Sequence, residues 1–192
     1  MMNDTSKIIQ ALCYIANSQP NATVDTMKAY KLLWLADRLH LRNYSRTISG
    51  DEYWALPLGP VPTNAKNLVD GKATSLKNPD GKFDEYIEVL PNHKIRARKG
   101  ADVDEFSESD IELFDKVLAK FGNASAIELS NFSHQFPEWK QYEHLLKDSS
   151  KKNGYHIDKD LFFVNMDEPR LYLDDPEKLD FTKEMFHLYQ ER

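Results

Sequence analysis

MKAYKLLWLADRLHLRNYSRTISGDEYWALPLGPVPTNAKNLV, residues Met27 to Val69, is the stretch that decides the fold of this chain. Leu32 to Ala36 are apolar on nearly every side of a helical projection. This pattern predicts a buried helix that begins after a Thr23 cap and ends near Leu41. We therefore expect this helix to be central, with the other elements packed around it.

The second half of the stretch predicts one strand between two turns. Ser49-Gly50-Asp51 has the composition of a turn, and Glu52 to Pro57 alternates like a short strand. Gly59-Pro60 turns the chain again. Pro62 suits the first turn of a helix through Val69, because its missing amide hydrogen would be unpaired there in any case.

Further helices and one hairpin are predicted outside this stretch. Tyr86 to Leu90 and Lys94 to Lys99 resemble a hairpin, and with Glu52 to Pro57 they would make one small three-stranded antiparallel sheet. Asp70 to Asp84 is rich in glycine and polar residues and predicts a mobile surface loop. Apolar spacing and capping residues predict five further helices. The first follows an Asp4 or Thr5 cap and ends near Asn17, the second follows a Ser107 cap and ends near Phe121, and the third starts at Asn123 or Ser125 and reaches Phe132. The last two run from Pro137 to Leu146 and from Pro176 to Tyr189. The predicted fold is therefore α+β and predominantly helical, with six or seven helices and one small sheet.

Composition narrows the class of protein. The chain has 192 residues, a formal net charge of −6, one cysteine and 41% hydrophobic residues, which fits a globular protein whose fold depends on packing rather than on a disulfide. The acidic balance argues against a broad phosphate-binding face, so no direct nucleic-acid partner is expected. No apolar run approaches the roughly 20 residues that span a bilayer, and no secretory signal is seen. We expect a cytoplasmic protein without a membrane partner.

The polar residues offer little sign of catalysis. Asp37 and His40 lie three residues apart on the predicted helix, and Asp51, His134 and Glu138 could join them as metal ligands or as an acid–base set. This spacing alone is weak evidence, and the sequence lacks HExxH, paired CxxC, EF-hand, GxSxG, P-loop and GxGxxG motifs. We predict no catalytic residue, no metal site and no cofactor. A small metal-dependent hydrolase that uses Asp37, His40, Asp51 and His134 remains the alternative.

Four aromatic residues are candidate anchors for a protein partner, because large amphipathic rings often carry interface energy. Trp34 lies in the all-apolar part of the helix and is expected in the core. Tyr53 and Trp54 lie in the predicted strand, and the side chain of Trp54 could face solvent or a groove. Trp139 follows Pro137 near the start of a short helix.

The order of motifs resembles the Panacea domain of the SocA-like antitoxins, a family also seen in phage-associated proteins of the GepA type. The residues that carry the resemblance are KLLWLAD, His40, Gly50-Asp51, Tyr53 to Pro57, Gly59 to Pro62 and, far downstream, LSNFSHQFPEW. The resemblance covers roughly Ile8 to Leu146. It implies a Panacea-like domain over residues 1–150 and a C-terminal helical extension, residues 151–192, packed on that domain.

The resemblance also implies a function. It suggests a non-enzymatic antitoxin of a bacterial or prophage toxin–antitoxin pair that binds and neutralises a cognate protein toxin, as a chaperone-like or proteolytic adaptor. A phage protein that interacts with its host and has no cognate toxin is the other alternative, and a homo-oligomer is compatible with the sequence. The residues expected to bind toxin are Tyr53, Trp54, Pro57, Leu58 and Pro60. The residues expected to be structural are Trp34, Asp37, Gly50, Asp51, Gly59, His134 and Trp139, with His134 bonded toward the Gly59-Pro60 turn.

Overall fold

The computed structural model describes residues 5–72, 82–147, 154–167 and 170–190. These residues form nine α helices and six strands, which confirms the predicted α+β, predominantly helical class. The helices are α1 (Thr5–Asn17), α2 (Thr26–Tyr44), α3 (Thr63–Val69), α4 (Lys82–Tyr86), α5 (Glu108–Phe121), α6 (Ala126–Ser133), α7 (Pro137–Lys140), α8 (Glu143–Leu146) and α9 (Pro176–Gln190). The strands are β1 (Thr23–Asp25), β2 (Tyr53–Leu56), β3 (Gly59–Pro62), β4 (Ile87–Leu90), β5 (Lys94–Ala97) and β6 (Tyr155–His156).

Helix α2 forms the centre of the fold, as its apolar sequence predicts. Leu32 to Ala36 have no exposed surface, and α2 packs against α1, α5, α6 and α9. The helix begins two residues later than predicted, after Asp25 rather than after Thr23. Asp25 caps it by accepting hydrogen bonds from the amides of Met27 at 2.9 Å and Lys28 at 3.2 Å. Thr23 instead lies in β1, where it is paired with Arg96.

The prediction of one sheet was wrong, because the described strands form two three-stranded antiparallel sheets with the orders β1-β5-β4 and β3-β2-β6. Strand β2 does not join the β4–β5 hairpin. It folds back on β3 through the two-residue connection Pro57-Leu58 and pairs on its other edge with β6. Gly59 permits this tight return because its φ of 101° is a conformation that other residues rarely adopt.

The C-terminal segment contributes to the same core as the rest of the chain. Phe162 and Tyr172 are completely buried, and the Tyr172 hydroxyl donates a 3.0 Å hydrogen bond to the Leu35 carbonyl of α2. Arg42 of α2 donates to the carbonyl of Phe162 at 2.9 Å. The division of the chain at residue 150 stays a prediction.

The loop predicted over Asp70 to Asp84 falls largely on residues 73–81, which lie outside the described residues. Its last three residues, Lys82 to Asp84, belong to α4. In α4, Phe83 is 5% exposed. The loop prediction was therefore wrong for Lys82 to Asp84.

Candidate functional site

The β2–β3 hairpin presents a small apolar surface at one side of the molecule. Strand alternation turns Tyr53 and Ala55 into the core and turns Trp54 outward, where 39% of it is exposed. Pro57 and Leu58 form the tip, and Leu58 is 59% exposed. We call the exposed surface of Trp54, Pro57 and Leu58 the hairpin rim.

Helices α6 and α7 hold the hairpin from behind. The Trp139 indole donates a 2.7 Å hydrogen bond to the Leu56 carbonyl, and the Ser130 hydroxyl donates a 2.9 Å bond to the Leu58 carbonyl. The first bond uses the residue just before the tip, and the second uses the tip itself. The backbone of the rim is therefore attached to the helical core.

His134, at the end of α6, completes this support. Its ring stacks on the Trp139 indole with a centroid distance of 3.7 Å and an interplanar angle of 11°. It also shares a hydrogen bond with the backbone of Pro57, which must be the acceptor because proline has no amide hydrogen. Burial is the main cause that lowers the pKa of His134, and the positive charge of Lys31 lowers it further. The neutral ring is therefore favoured.

A groove of about 320 Å³ lies between the hairpin and the first turns of α2. Its walls are largely apolar and come from Tyr30, Leu56, Pro57, Leu58 and Val61. Among the described residues that line this groove, the two charged ones are Lys31 and Lys66, and both are cationic. The groove is therefore largely apolar, since Lys31 has no exposed surface and Lys66 forms an ion pair with Asp70.

Lys31 is the polar residue that sequence reasoning missed. Its side chain has no exposed surface, and its ammonium donates a 2.7 Å hydrogen bond to the Pro60 carbonyl. Within the described residues this is its one hydrogen bond, and no acidic side chain there forms an ion pair with it. Burial lowers the pKa of Lys31 to about 7. The available signal was a single lysine directly before the apolar run of Leu32 to Ala36.

Asp37 and Asp51 are both buried, and each organises backbone. Asp37 accepts hydrogen bonds from the amides of Ile48 at 2.8 Å and Ser49 at 2.9 Å. Asp51 accepts from the amides of Asn64 at 2.9 Å and Ala65 at 2.8 Å, and so caps α3. The two carboxylates therefore fix the start and the end of the segment that carries the hairpin.

His40 belongs to a different cluster. Its Nε2 lies 2.9 Å from Asp110 of α5, and its Nδ1 lies 2.8 Å from the Arg46 carbonyl. The described part of the chain contains no group of three His, Cys, Asp or Glu side chains placed to hold a metal ion. The four residues of the predicted alternative metal site, Asp37, His40, Asp51 and His134, are thus engaged in three separate structural networks.

The model of one protein family, "Antitoxin SocA-like, Panacea domain", matches residues 30–140. This match spans more than half of the chain and includes most of α2, the hairpin, His134 and Trp139. The chain belongs to this family. No curated protein and no solved structure matches the chain significantly. None of the helices in the described ranges has the length and apolar character needed to cross a membrane.

In this Panacea domain, burial narrows the set of residues that can contact a partner. Tyr53 has no exposed surface, and its hydroxyl donates a 2.7 Å hydrogen bond to Asp37. Pro60 is also buried, with its carbonyl bonded to Lys31. Both of these predicted contact residues are therefore buried in the free chain. The contact set that stays a proposal is Trp54, Pro57 and Leu58.

The structure places the other motif residues of the Panacea domain in the framework. Trp34 is fully buried and meets Phe136 edge-on at a centroid distance of 4.7 Å. Gly50 adopts a φ of 68° in the turn before β2. A Cβ atom on Gly59 would overlap the Ser133 hydroxyl and approach Lys31 Cε to 2.9 Å. The hairpin therefore lies against α2 and α6 at a distance that only glycine allows.

Proposed function

We propose that this protein is a non-enzymatic antitoxin that binds and neutralises a protein toxin through the hairpin rim. Membership of the SocA-like antitoxin family supports a protein partner of this class. The observation that carries the proposal is the exposure of Trp54 and Leu58, at 39% and 59%, on a hairpin whose backbone is bonded to α6 and α7. A large aromatic ring beside an exposed leucine and a proline has the composition of an interface anchor.

The support beneath the rim favours binding energetically. A surface that is already held in one conformation loses little conformational entropy when a partner docks on it. The hydrogen bonds from Trp139 and Ser130 and the stacked His134 ring provide such support. Neutralisation by occlusion of the toxin, or by delivery of the toxin as an adaptor, would use the same surface. A cytoplasmic location and the oligomeric state stay predictions.

Co-expression with the product of the neighbouring gene tests the proposal. We expect the wild-type chain to restore growth and to co-purify with that product. Trp54→Ala and Leu58→Ser should each weaken binding by about tenfold or more, since truncating an interface anchor commonly costs 1–2 kcal/mol or more. Thermal unfolding should change little, because both side chains are exposed.

Val89→Ser is the matched control, because Val89 is 50% exposed on the other sheet. It should rescue growth as well as the wild type does. Absence of rescue and of co-purification for the wild-type chain would refute the antitoxin proposal. Equal losses for Val89→Ser and the two rim variants would instead refute the rim as the contact surface.

A further inference from the structure

Helix α9 packs on the rest of the protein through one of its sides. Its buried residues are Leu179, Thr182 and Phe186, and the helix contacts α2 and the turn Lys159–Phe163. Successive residues of an α helix are rotated by about 100° from one another, so the three buried positions share one side. The opposite side of α9 faces solvent.

The exposed side of α9 carries a second set of apolar residues. Phe181, Met185 and Leu188 stand at i, i+4 and i+7, the spacing of one stripe along a helix, and we call them the α9 apolar row. Phe181 is 62% exposed and Leu188 is 48% exposed. Single exposed apolar residues are normal on a protein surface, but several in one row are typical of an interaction site.

An acidic row runs beside the apolar row. It consists of Glu177, Asp180 and Glu184, at i, i+3 and i+7, and it lies next to Leu188 on the helical projection. All three acidic residues are exposed. Within the described ranges, no basic side chain forms an ion pair with any of them.

The basic side chains of α9 do not neutralise the acidic row, because they are paired with other carboxylates. Lys183 Nζ and His187 Nε2 lie 3.1 Å and 3.2 Å from Asp160, in the turn Lys159–Phe163. Lys178 Nζ lies 2.8 Å from Asp174. The exposed side of α9 is therefore apolar along one row and negatively charged along the next.

The turn that contains Asp160 also joins this surface to the strand that carries Trp54. Lys159 donates a 2.8 Å hydrogen bond to Glu52, two residues before Trp54, and the next residue, Asp160, contacts α9. His156, which is aligned with Trp54 in the sheet, lies 3.0 Å from the same Glu52 carboxylate. A partner that covers the hairpin rim thus has only one short turn to cross before it reaches α9.

We propose that the exposed side of α9 is a second docking surface for the partner toxin, and that it receives an amphipathic helix of the toxin whose apolar stripe is flanked by lysine or arginine. The stripe packs on the α9 apolar row, and the cations pair with the acidic row. This proposal rests on the proposed antitoxin function and adds the chemistry of a second toxin segment. A second copy of this chain fits the surface less well, because the basic residues in the described part of its α9 are already paired.

The apolar half of the proposal is tested with the double variant Phe181→Ser, Leu188→Ser. Binding of the purified neighbouring-gene product is measured by calorimetry, and we expect it to be about tenfold weaker or more, the usual effect of removing interface anchors. Thermal unfolding of the free chain should change little, because both side chains are exposed. Val103→Ser is the matched control, since Val103 is 50% exposed outside α9, and it should bind like the wild type.

The charged half is tested by neutralising the acidic row in the triple variant Glu177→Gln, Asp180→Asn, Glu184→Gln. At low salt we expect binding about 3- to 100-fold weaker than for the wild type, the range for three exposed ion pairs. The loss should shrink at high salt, because salt screens exposed charges. The matched control changes the net charge equally at and before α5, with Asp104→Asn, Glu108→Gln and Glu112→Gln, and it should bind like the wild type.

A scan of the toxin provides an arm that uses the unsubstituted chain. At least one Lys→Gln or Arg→Gln variant of the toxin should bind the wild-type chain more weakly. The same toxin variant should lose little further affinity for the triple variant of the acidic row, because the two changes remove the same ion pair.

The outcomes separate the two proposals. If the toxin does not bind the wild-type chain, the antitoxin proposal itself fails. If the toxin binds the wild type and both α9 variants equally, the α9 proposal fails while the antitoxin proposal stands. Equal losses for the two triple variants would show attraction by net charge alone and would also refute it. If the double variant instead dissociates a dimer of the free chain and binds toxin normally, the occupant is a second copy and the proposal is wrong.

Discussion

Gly59→Ala is the substitution for which the structure predicts the largest local effect on the hairpin. Gly59 has a φ of 101°, outside the left-handed helical region. This conformation costs a residue with a side chain about 1–3 kcal/mol. The new methyl group would also overlap the Ser133 hydroxyl and lie 2.9 Å from Lys31 Cε. Overpacking of this kind costs about 1–3 kcal/mol more. The two effects together predict a loss of about 4 kcal/mol in the free energy of unfolding.

Gly50→Ala is the matched control for backbone strain. Gly50 also has a positive φ, 68°, but nothing lies within 4 Å of the position that its Cβ atom would occupy. We therefore expect a loss of only about 1–2 kcal/mol, the cost of a left-handed conformation without a clash. Urea unfolding monitored by circular dichroism measures both values, and the dependence on urea concentration should stay unchanged.

The double variant Gly59→Ala, Ser133→Ala tests the source of the clash. Ser133→Ala alone loses the 2.7 Å hydrogen bond from its hydroxyl to the Ser130 carbonyl, about 1 kcal/mol. In the double variant the removed hydroxyl makes room for the methyl group, so the loss should be smaller than the sum of the two single losses by about 1 kcal/mol or more. A Gly59→Ala loss no larger than that of Gly50→Ala would refute the close approach of the hairpin to α2 and α6.

Three further substitutions test the rest of the framework. Trp139→Phe removes the 2.7 Å indole bond to the Leu56 carbonyl and should lower the free energy of unfolding by about 1–3 kcal/mol in urea titrations; no loss would contradict the bond. Burial raises the pKa of Asp110, but hydrogen bonds from His40 and Lys7 outweigh this and hold it below the ordinary 3.8, so the stability lost in Asp110→Asn at pH 7 should shrink as the pH falls below about 4. A difference that stays constant down to pH 2 would contradict the network. Burial lowers the pKa of Lys31 from 10.5 to about 7, so the unfolded chain holds this proton to higher pH than the folded chain does. The stability of the wild type relative to Lys31→Met should therefore rise between pH 7 and pH 10, and a flat difference would show that Lys31 is solvated.

The sequence was sufficient where local pattern and tertiary structure agree. The all-apolar face of Leu32 to Ala36 predicted the central helix, and these residues are buried. Ser107 was predicted to cap a helix, and it accepts the Asp110 amide at the start of α5 in a complete capping box. In these cases the deciding interactions lie within a few residues along the chain.

The misplaced start of α2 shows where local pattern is ambiguous. Thr23 and Asp25 are both acceptable capping residues, so residue type alone does not choose between them. The choice depends on β1, because Val24 pairs with Ile95, a residue 71 positions away. Once Thr23 to Asp25 form a strand, only Asp25 is left at the helix start. A contact between distant parts of the chain thus decided a boundary that looks local.

The second sheet depends on the same kind of distant contact. Strand β6 has two residues and aligns Tyr155 with Ala55 and His156 with Trp54. A two-residue strand is too short to show an alternating pattern, so no periodicity in the sequence predicts it. Its pairing leaves β2 with neighbours on both edges, and the β4–β5 hairpin then pairs with β1 instead. The sheet prediction failed because it assigned strands to one another by order in the chain.

Lys31 shows why the candidate site was harder to predict than the fold. Sequence patterns identify a buried helix by its apolar residues, and one lysine among them can be read as a side chain whose amine reaches solvent. The structure shows that the amine does not reach solvent. The return of β3 over α2 places the Pro60 carbonyl 2.7 Å from the ammonium, and the Lys31 side chain has no exposed surface. The same return creates the groove and exposes Leu58 at its edge. A tight turn at Gly59 therefore both buries the lysine and forms the groove beside it, so the chemistry of this site follows from the approach of two segments that no local pattern describes.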